Sequence, residues 1–152
     1  MRNPLLSLLL IGAFAGCTNG APPAGAASAA AAATTIDVSL TSAPAAATAY
    51  GSGGGYAPLV TTVALGTTVR FLNTDSFGHT ASAIGGTTFP ASSPLTGAAQ
   101  SSSGATLSGG WSSGTLGAGT ASQALLADRA GTYLYGCFFH YGAPMRGAIV
   151  VR

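Results

Sequence analysis

Four side chains with metal-binding atoms stand out, three of them in a nine-residue segment near the C-terminus. His140 follows Cys137 by three residues, Met145 follows His140 by five, and His79 lies 58 residues before the cysteine. A thiolate, two imidazoles and a thioether can meet around one ion if residues 136–145 form a tight loop. Two nitrogens and one sulfur in a trigonal plane, with a weak axial methionine, are the ligands of blue-copper electron-transfer sites. We therefore predict one copper ion, changing between Cu(I) and Cu(II), held by these four residues.

Short runs of β-branched and aromatic residues, separated by Gly, Ser and Pro, predict an all-β domain from residue 34 onward. The predicted strands are residues 35–42, 59–65, 67–73, 80–84, 121–126, 131–137 and 148–151. In the sixth strand Tyr133, Tyr135 and Cys137 share one face, so a strand that packs on the core also carries the thiolate. Seven or eight strands in this length fit two packed antiparallel sheets with Greek-key connections.

Two segments lack a clear strand pattern. Residues 44–58 are expected to form a mobile loop, and residues 85–119 contain nine glycines. We expect Trp111, in the second segment, to pack in the core or pin that loop rather than take part in electron transfer. Asp75, in the sequence NTDS, is expected to be a turn residue.

The regions that carry the candidate ligands resemble those of a known family. The segment GTYLYGCFFHYGAPMRGAIVV at residues 131–151, with its Cys-x2-His-x4-Met spacing, and TTVRFLNTDSFGHT at residues 67–80 are similar to plastocyanins, pseudoazurins and halocyanins. The resemblance covers roughly residues 58–151. It implies a cupredoxin-like Greek-key β-sandwich and a one-electron carrier with copper held by His79, Cys137, His140 and Met145.

Two residues beside the ligands depart from the pattern of that family. Thr80 stands where plastocyanins and azurins have an asparagine that ties the two ligand loops together, and we expect its hydroxyl to do the same. Phe139 stands where pseudoazurins and plastocyanins have proline, so its backbone N–H is free to donate to the thiolate of Cys137. We predict that this donor and the apolar rings of Phe138 and Phe139 raise the reduction potential.

The N-terminal segment is typical of an exported lipoprotein. Residues 5–14 form an apolar run that is too short to span a membrane and follows a basic start, as in a secretory signal. The sequence FAGC at residues 14–17 resembles a bacterial lipoprotein signal, which implies lipidation of Cys17. The alternative is ordinary signal cleavage nearby, with Cys17 discarded.

The chain is therefore predicted to have three parts: a signal peptide at 1–16, a lipidated cysteine with an Ala/Pro-rich linker at 17–33, and the folded domain at 34–152. The linker lacks an amphipathic period, although an Ala-rich helix is an alternative. We expect an exported, membrane-anchored protein that faces the periplasm or the cell exterior. The lipid anchor would be its only membrane contact.

Charged residues are rare: five arginines and three aspartates make up 5% of the chain. Such a surface has little long-range field, so binding to nucleic acid is not expected. We expect a monomer whose redox partner proteins dock at the edge of His140 through an apolar patch formed by residues 141–144. Docking should depend weakly on ionic strength.

A copper storage or delivery protein with the same site is the alternative function. An enzyme is not expected, because two histidines cannot build the additional copper centre of oxidases and nitrite reductases. A zinc hydrolase would need an open coordination position and a general base. An intermolecular disulfide at Cys137 remains an alternative, but the nearby His140 and Met145 favour metal ligation.

Overall fold

The computed structural model describes residues 33–152; the predicted signal peptide, Cys17 and the linker up to residue 32 lie outside this range. Twelve strands and one 3-10 helix form the described part. They are β1 (Ala33–Val38), β2 (Ala46–Thr48), β3 (Gly51–Gly53), β4 (Tyr56–Ala57), β5 (Val60–Val63), β6 (Thr68–Asn73), β7 (Ser82–Ile84), the 3-10 helix (Gly97–Gln100), β8 (Ser102–Ser103), β9 (Ser112–Ser113), β10 (Leu125–Leu126), β11 (Gly131–Gly136) and β12 (Arg146–Val151). Across residues 33–152, no helix has the length and hydrophobicity needed to cross a membrane.

Two sheets form the sandwich. The first has the strand order β10-β6-β1-β4 and the second has the order β5-β12-β11-β7-β9-β8, while β2 and β3 form a separate hairpin. β1 pairs with β6 and β5 pairs with β12 in parallel, whereas the other pairs are antiparallel. The prediction of an all-β sandwich is confirmed, with these two parallel pairs as a difference. All seven predicted strands are present, and the five additional strands have only two or three residues each.

The core lies between the two sheets. Along β6, buried Val69 and Phe71 alternate with exposed Arg70, as expected for a strand with one covered face. The Phe71 ring stacks on Trp111 at 5.3 Å between centroids and meets the ring of Tyr135 edge-on at 5.0 Å. Trp111 is only 4% exposed, so the prediction that it packs in the core is confirmed.

Residues 44–58, predicted to be a mobile loop, contain strands instead, so the prediction of a loop is wrong. This segment contains β2, β3 and β4, and the backbone of Gly54 pairs with Arg146, with N···O distances of 3.1 and 3.0 Å. A Cβ at Gly53 would lie 2.6 Å from the carbonyl oxygen of Arg146. The glycine here serves close backbone packing, because a side chain would separate the two segments.

Both candidate ligand loops leave the same end of the sandwich. β6 ends at Asn73 and a bend leads to His79, while β11 ends at Gly136, directly before Cys137. β11 pairs with β12 along its whole length and with β7 at its end. The backbone hydrogen bonds of these strands therefore fix the starting points of both loops.

Candidate metal centre

His79 is fully buried and is held through its backbone. Its N–H donates to the carbonyl oxygen of Leu116 at 3.2 Å, and its own carbonyl accepts from the N–H of Leu116 at 2.7 Å. The side-chain amide of Asn73 donates to the carbonyls of Phe77 at 2.7 Å and of Leu116 at 2.9 Å. These bonds hold the loop between β6 and His79 and fix the backbone position from which the imidazole extends.

Cys137, His140 and Met145 lie on one tight loop between β11 and β12. The N–H of Cys137 donates to the carbonyl of Met145 at 3.0 Å, and the N–H of Met145 donates to the carbonyl of His140 at 3.1 Å. The carbonyl of His140 also accepts from Ala143 at 2.9 Å. Hydrogen bonds therefore join the first and last metal-binding residues of this loop and close it into the tight turn that their spacing predicts.

Three potential donor atoms from the two loops form a triangle. Nδ1 of His79 lies 3.2 Å from Nδ1 of His140, and Sγ of Cys137 lies 3.9 and 3.6 Å from these two nitrogens. A point in this plane about 2.0 Å from both nitrogens lies about 2.2 Å from the sulfur, near the metal–nitrogen and metal–sulfur bond lengths of roughly 2.0 and 2.3 Å. The triangle therefore fits one metal ion with two imidazoles and a thiolate in a plane.

Met145 belongs to the same loop and its side chain is fully buried. It packs against Gly55, whose φ of +72° lies in the left-handed region; a Cβ there would collide with the Met145 side chain. Gly55 therefore leaves the space that the thioether occupies. Of the four sequence-predicted residues, the structure brings His79, Cys137 and His140 to one point, and Met145 lies on the loop that carries Cys137 and His140.

Asp75 contacts His79, which the sequence analysis missed. Its carboxylate oxygen Oδ2 lies 2.8 Å from Nε2 of His79. The predicted turn is present, since the N–H of Asp75 donates to the side-chain oxygen of Asn73 at 2.9 Å. The spacing of four residues between Asp75 and His79 is the only feature of the sequence that hints at this contact. The bend of the loop is what turns the carboxylate toward the ring.

Thr80 joins the two loops. Its hydroxyl oxygen accepts from the N–H of Phe138 at 2.9 Å, as expected of a residue in the place of the family's asparagine, and its N–H donates to Sγ of Cys137 at 3.4 Å. Within residues 33–152, this is the backbone donor to the sulfur, so the prediction that Phe139 supplies it is wrong. Phe139 lies within the turn that begins directly after Cys137, whereas Thr80 reaches the sulfur from the other ligand loop.

The outer edge of His140 lies in a shallow apolar depression. Phe77 and Phe139, which are 40% and 43% exposed, flank the imidazole, and Gly78 and Thr115 complete the lining. Phe77 contacts both histidines, with ring centroids 4.8 Å from His79 and 5.6 Å from His140. Burial, and then the proximity of His79, lower the pKa of His140, which favours the neutral imidazole that binds metals.

Tyr141 is not part of that exposed surface. It is 3% exposed, its hydroxyl donates to the carbonyl of Pro90 at 3.0 Å, and the guanidinium of Arg146 stacks over its ring at 4.2 Å. The expected patch at residues 141–144 is wrong in this respect, because Tyr141 anchors the loop to the sandwich. Phe77, which the sequence analysis did not assign to the surface, takes its place.

Comparison with known proteins gives the following matches. The sequence profile of copper binding proteins of the plastocyanin/azurin family matches residues 47–152. A purple cupredoxin from Nitrosopumilus maritimus is 21% identical over 78% of this chain and 99% of its own, with a TM-score of 0.48. A reduced amicyanin variant is 20% identical over 79% of this chain and 82% of its own, with a TM-score of 0.46. No curated protein sequence matches significantly.

Proposed function

Because the chain belongs to the plastocyanin/azurin family of copper binding proteins, we propose that it is a blue copper protein that carries single electrons outside the cytoplasm. The observation that supports this most directly is the triangle formed by Nδ1 of His79, Nδ1 of His140 and Sγ of Cys137. These three residues would hold a copper ion, and the thioether of Met145 would be its fourth, weaker donor. We do not propose an enzymatic activity.

The residues around the triangle suit a one-electron role. Copper bound there would supply the Cu(I)/Cu(II) couple. Cys137, His79 and Met145 are fully buried, which excludes water from the donors. Backbone hydrogen bonds at the ends of β6 and β11 hold both loops, which would limit the rearrangement of the donors when the bound ion changes oxidation state.

Electrons would enter and leave at the edge of His140. This ring is the only one of the four candidate ligands that is not fully covered, and two exposed phenylalanines, Phe77 and Phe139, surround it. A redox protein with an apolar contact face of its own would fit such a surface. We therefore propose apolar docking of a monomer, with little contribution from charge.

The location of the protein is proposed from the sequence of residues 1–33. Lipidation of Cys17 after removal of residues 1–16 would attach the domain to a membrane on its outer side. Membrane fractions of cells that express the full chain should contain the protein, and Cys17→Ala should move it to the soluble exported fraction. Equal membrane association of both forms would contradict the anchor.

Copper loading of the purified protein tests the proposed function. An intense thiolate-to-copper visible band, a type 1 paramagnetic-resonance spectrum and a reversible one-electron couple are expected, and Cys137→Ser should remove the visible band. Protein that stays colourless with cupric salt would overturn the proposal. Rapid copper loss to an acceptor protein, without a reversible couple, would instead support copper delivery.

A further inference from the structure

Asp75 is a buried carboxylate with an unusually complete set of hydrogen-bond donors. It is 6% exposed and accepts from the hydroxyl of Ser39 at 2.8 Å, the N–H of Leu40 at 2.7 Å and the hydroxyl of Thr41 at 2.5 Å. The fourth contact is Nε2 of His79. Burial raises the pKa of Asp75, but these hydrogen bonds outweigh burial and leave the pKa well below its usual value.

The contact with Asp75 determines which nitrogen of His79 faces the triangle. A carboxylate only accepts hydrogen bonds, so Nε2 of His79 carries a proton, and in the neutral imidazole the lone pair is then on Nδ1. That lone pair belongs to the nitrogen 3.2 Å from Nδ1 of His140. Among the described residues, His140 has no carboxylate partner of this kind, so the two imidazoles differ in how firmly they are held.

The turn at residues 39–43 contacts the residues that support two of the candidate ligands, His79 and Met145. It supplies the three further donors to Asp75, and its backbone also bonds to Gly55: the N–H of Ser39 donates to the Gly55 carbonyl at 3.0 Å, and the N–H of Gly55 donates to the Ala43 carbonyl at 2.8 Å. Gly55 in turn lies against Met145. The family match begins at residue 47, so this turn precedes the part of the chain that the family profile covers.

We propose that Asp75, held by this turn, is a positioning residue for the copper ligand His79 and lowers the reduction potential of the bound ion. The inference rests on the proposed function. A carboxylate bonded to a ligating histidine fixes the ring orientation and raises the basicity of the imidazole. A buried negative charge near the centre also stabilises Cu(II) more than Cu(I).

Potentiometry on copper-loaded Asp75→Asn tests the effect of the charge. Loss of a partner of this kind weakens metal affinity about 10- to 100-fold. We expect Cu(II) affinity to fall at least about tenfold relative to Cu(I), which raises the potential by about 59 mV. Asp37→Asn is the matched control, because it removes the same charge from an exposed residue of β1 and should leave the potential unchanged. An unchanged potential in Asp75→Asn would overturn the proposal.

A measurement on the metal-free protein keeps the proposal testable if Asp75→Asn folds poorly. Nitrogen NMR of the imidazoles in the wild-type chain should show His79 with its proton on Nε2, and a proton on Nδ1 with Nε2 unprotonated would overturn the positioning role. If the expected tautomer is found but copper gives no blue centre, the proposed function fails while the positioning role of Asp75 stands. If the blue centre forms and the potentials of the Asp75 and Asp37 variants agree, only the present inference fails.

Discussion

The hydroxyl oxygen of Thr80 accepts a 2.9 Å hydrogen bond from the backbone N–H of Phe138, and the backbone N–H of Thr80 points to Sγ of Cys137 at 3.4 Å. One threonine thus links the loop of the first histidine to the loop of the cysteine with two bonds. These two bonds extend toward the site the pairing of β7 with β11, in which Ser82 lies opposite Gly136.

Thr80→Val should weaken this link. The substitution keeps the shape of the side chain but leaves the partly buried N–H of Phe138 without its acceptor, which costs about 1 kcal/mol. Urea unfolding of the metal-free protein should show this loss, and copper release from the loaded protein should be faster. Thr80→Ser, which keeps the hydroxyl, should remain close to wild type. Equal stability of the valine and serine variants would contradict the linking role.

Gly55→Ala should disturb the position of Met145. The left-handed backbone costs roughly 1–2 kcal/mol for a residue with a Cβ, and the new methyl group meets the methionine side chain, which adds about 1–3 kcal/mol of overpacking. Gly66→Ala is the matched control, since Gly66 has φ +84° and open space around it. It should show only the backbone cost. The visible spectrum should change in the Gly55 variant alone; an unchanged spectrum would argue against Met145 as a ligand.

Removing the hydroxyl group should change the stability of the fold differently at two buried tyrosines. Tyr56 donates to the carbonyl of Thr80 at 2.6 Å, whereas the hydroxyl of Tyr135 has no partner among residues 33–152. Tyr56→Phe should cost about 1 kcal/mol or more, while Tyr135→Phe should be neutral or stabilising, because it removes a buried polar group that forms no bond. Thermal unfolding of the two variants checks this order, and a larger loss in Tyr135→Phe would contradict it.

Docking through the apolar depression should depend on Phe139 more than on salt. Phe139→Ala removes an exposed ring beside His140 and should slow electron transfer to a physiological partner by roughly 10-fold, a loss of about 1.4 kcal/mol that is common for aromatic contact residues. Leu65→Ala, an exposed apolar residue before the start of β6 and so far from His140, should have no effect. Stopped-flow rates at low and high ionic strength provide the measurement. A steep decrease with salt would point to charged docking instead.

The local sequence pattern was enough to predict the fold class and the loop that carries three of the four candidate ligands. Cys137, His140 and Met145 lie so close in sequence that a single tight loop must carry them, and runs of β-branched and aromatic residues bounded by Gly, Ser and Pro marked seven of the strand regions. Both signals are local, because side-chain direction repeats every two residues along a strand. They were sufficient for an all-β sandwich and for a candidate copper-binding loop.

Contacts between distant segments were decided by the tertiary structure. Asp75 receives donors from residues 34 to 36 positions earlier, and the glycines of residues 51–55 allow close approach where the sequence suggested a loose loop. Thr80 rather than Phe139 donates to the sulfur of Cys137, and Phe77 rather than Tyr141 lies on the surface. These outcomes depend on the register of paired strands and on the packing of one sheet against the other, which local periodicity does not encode.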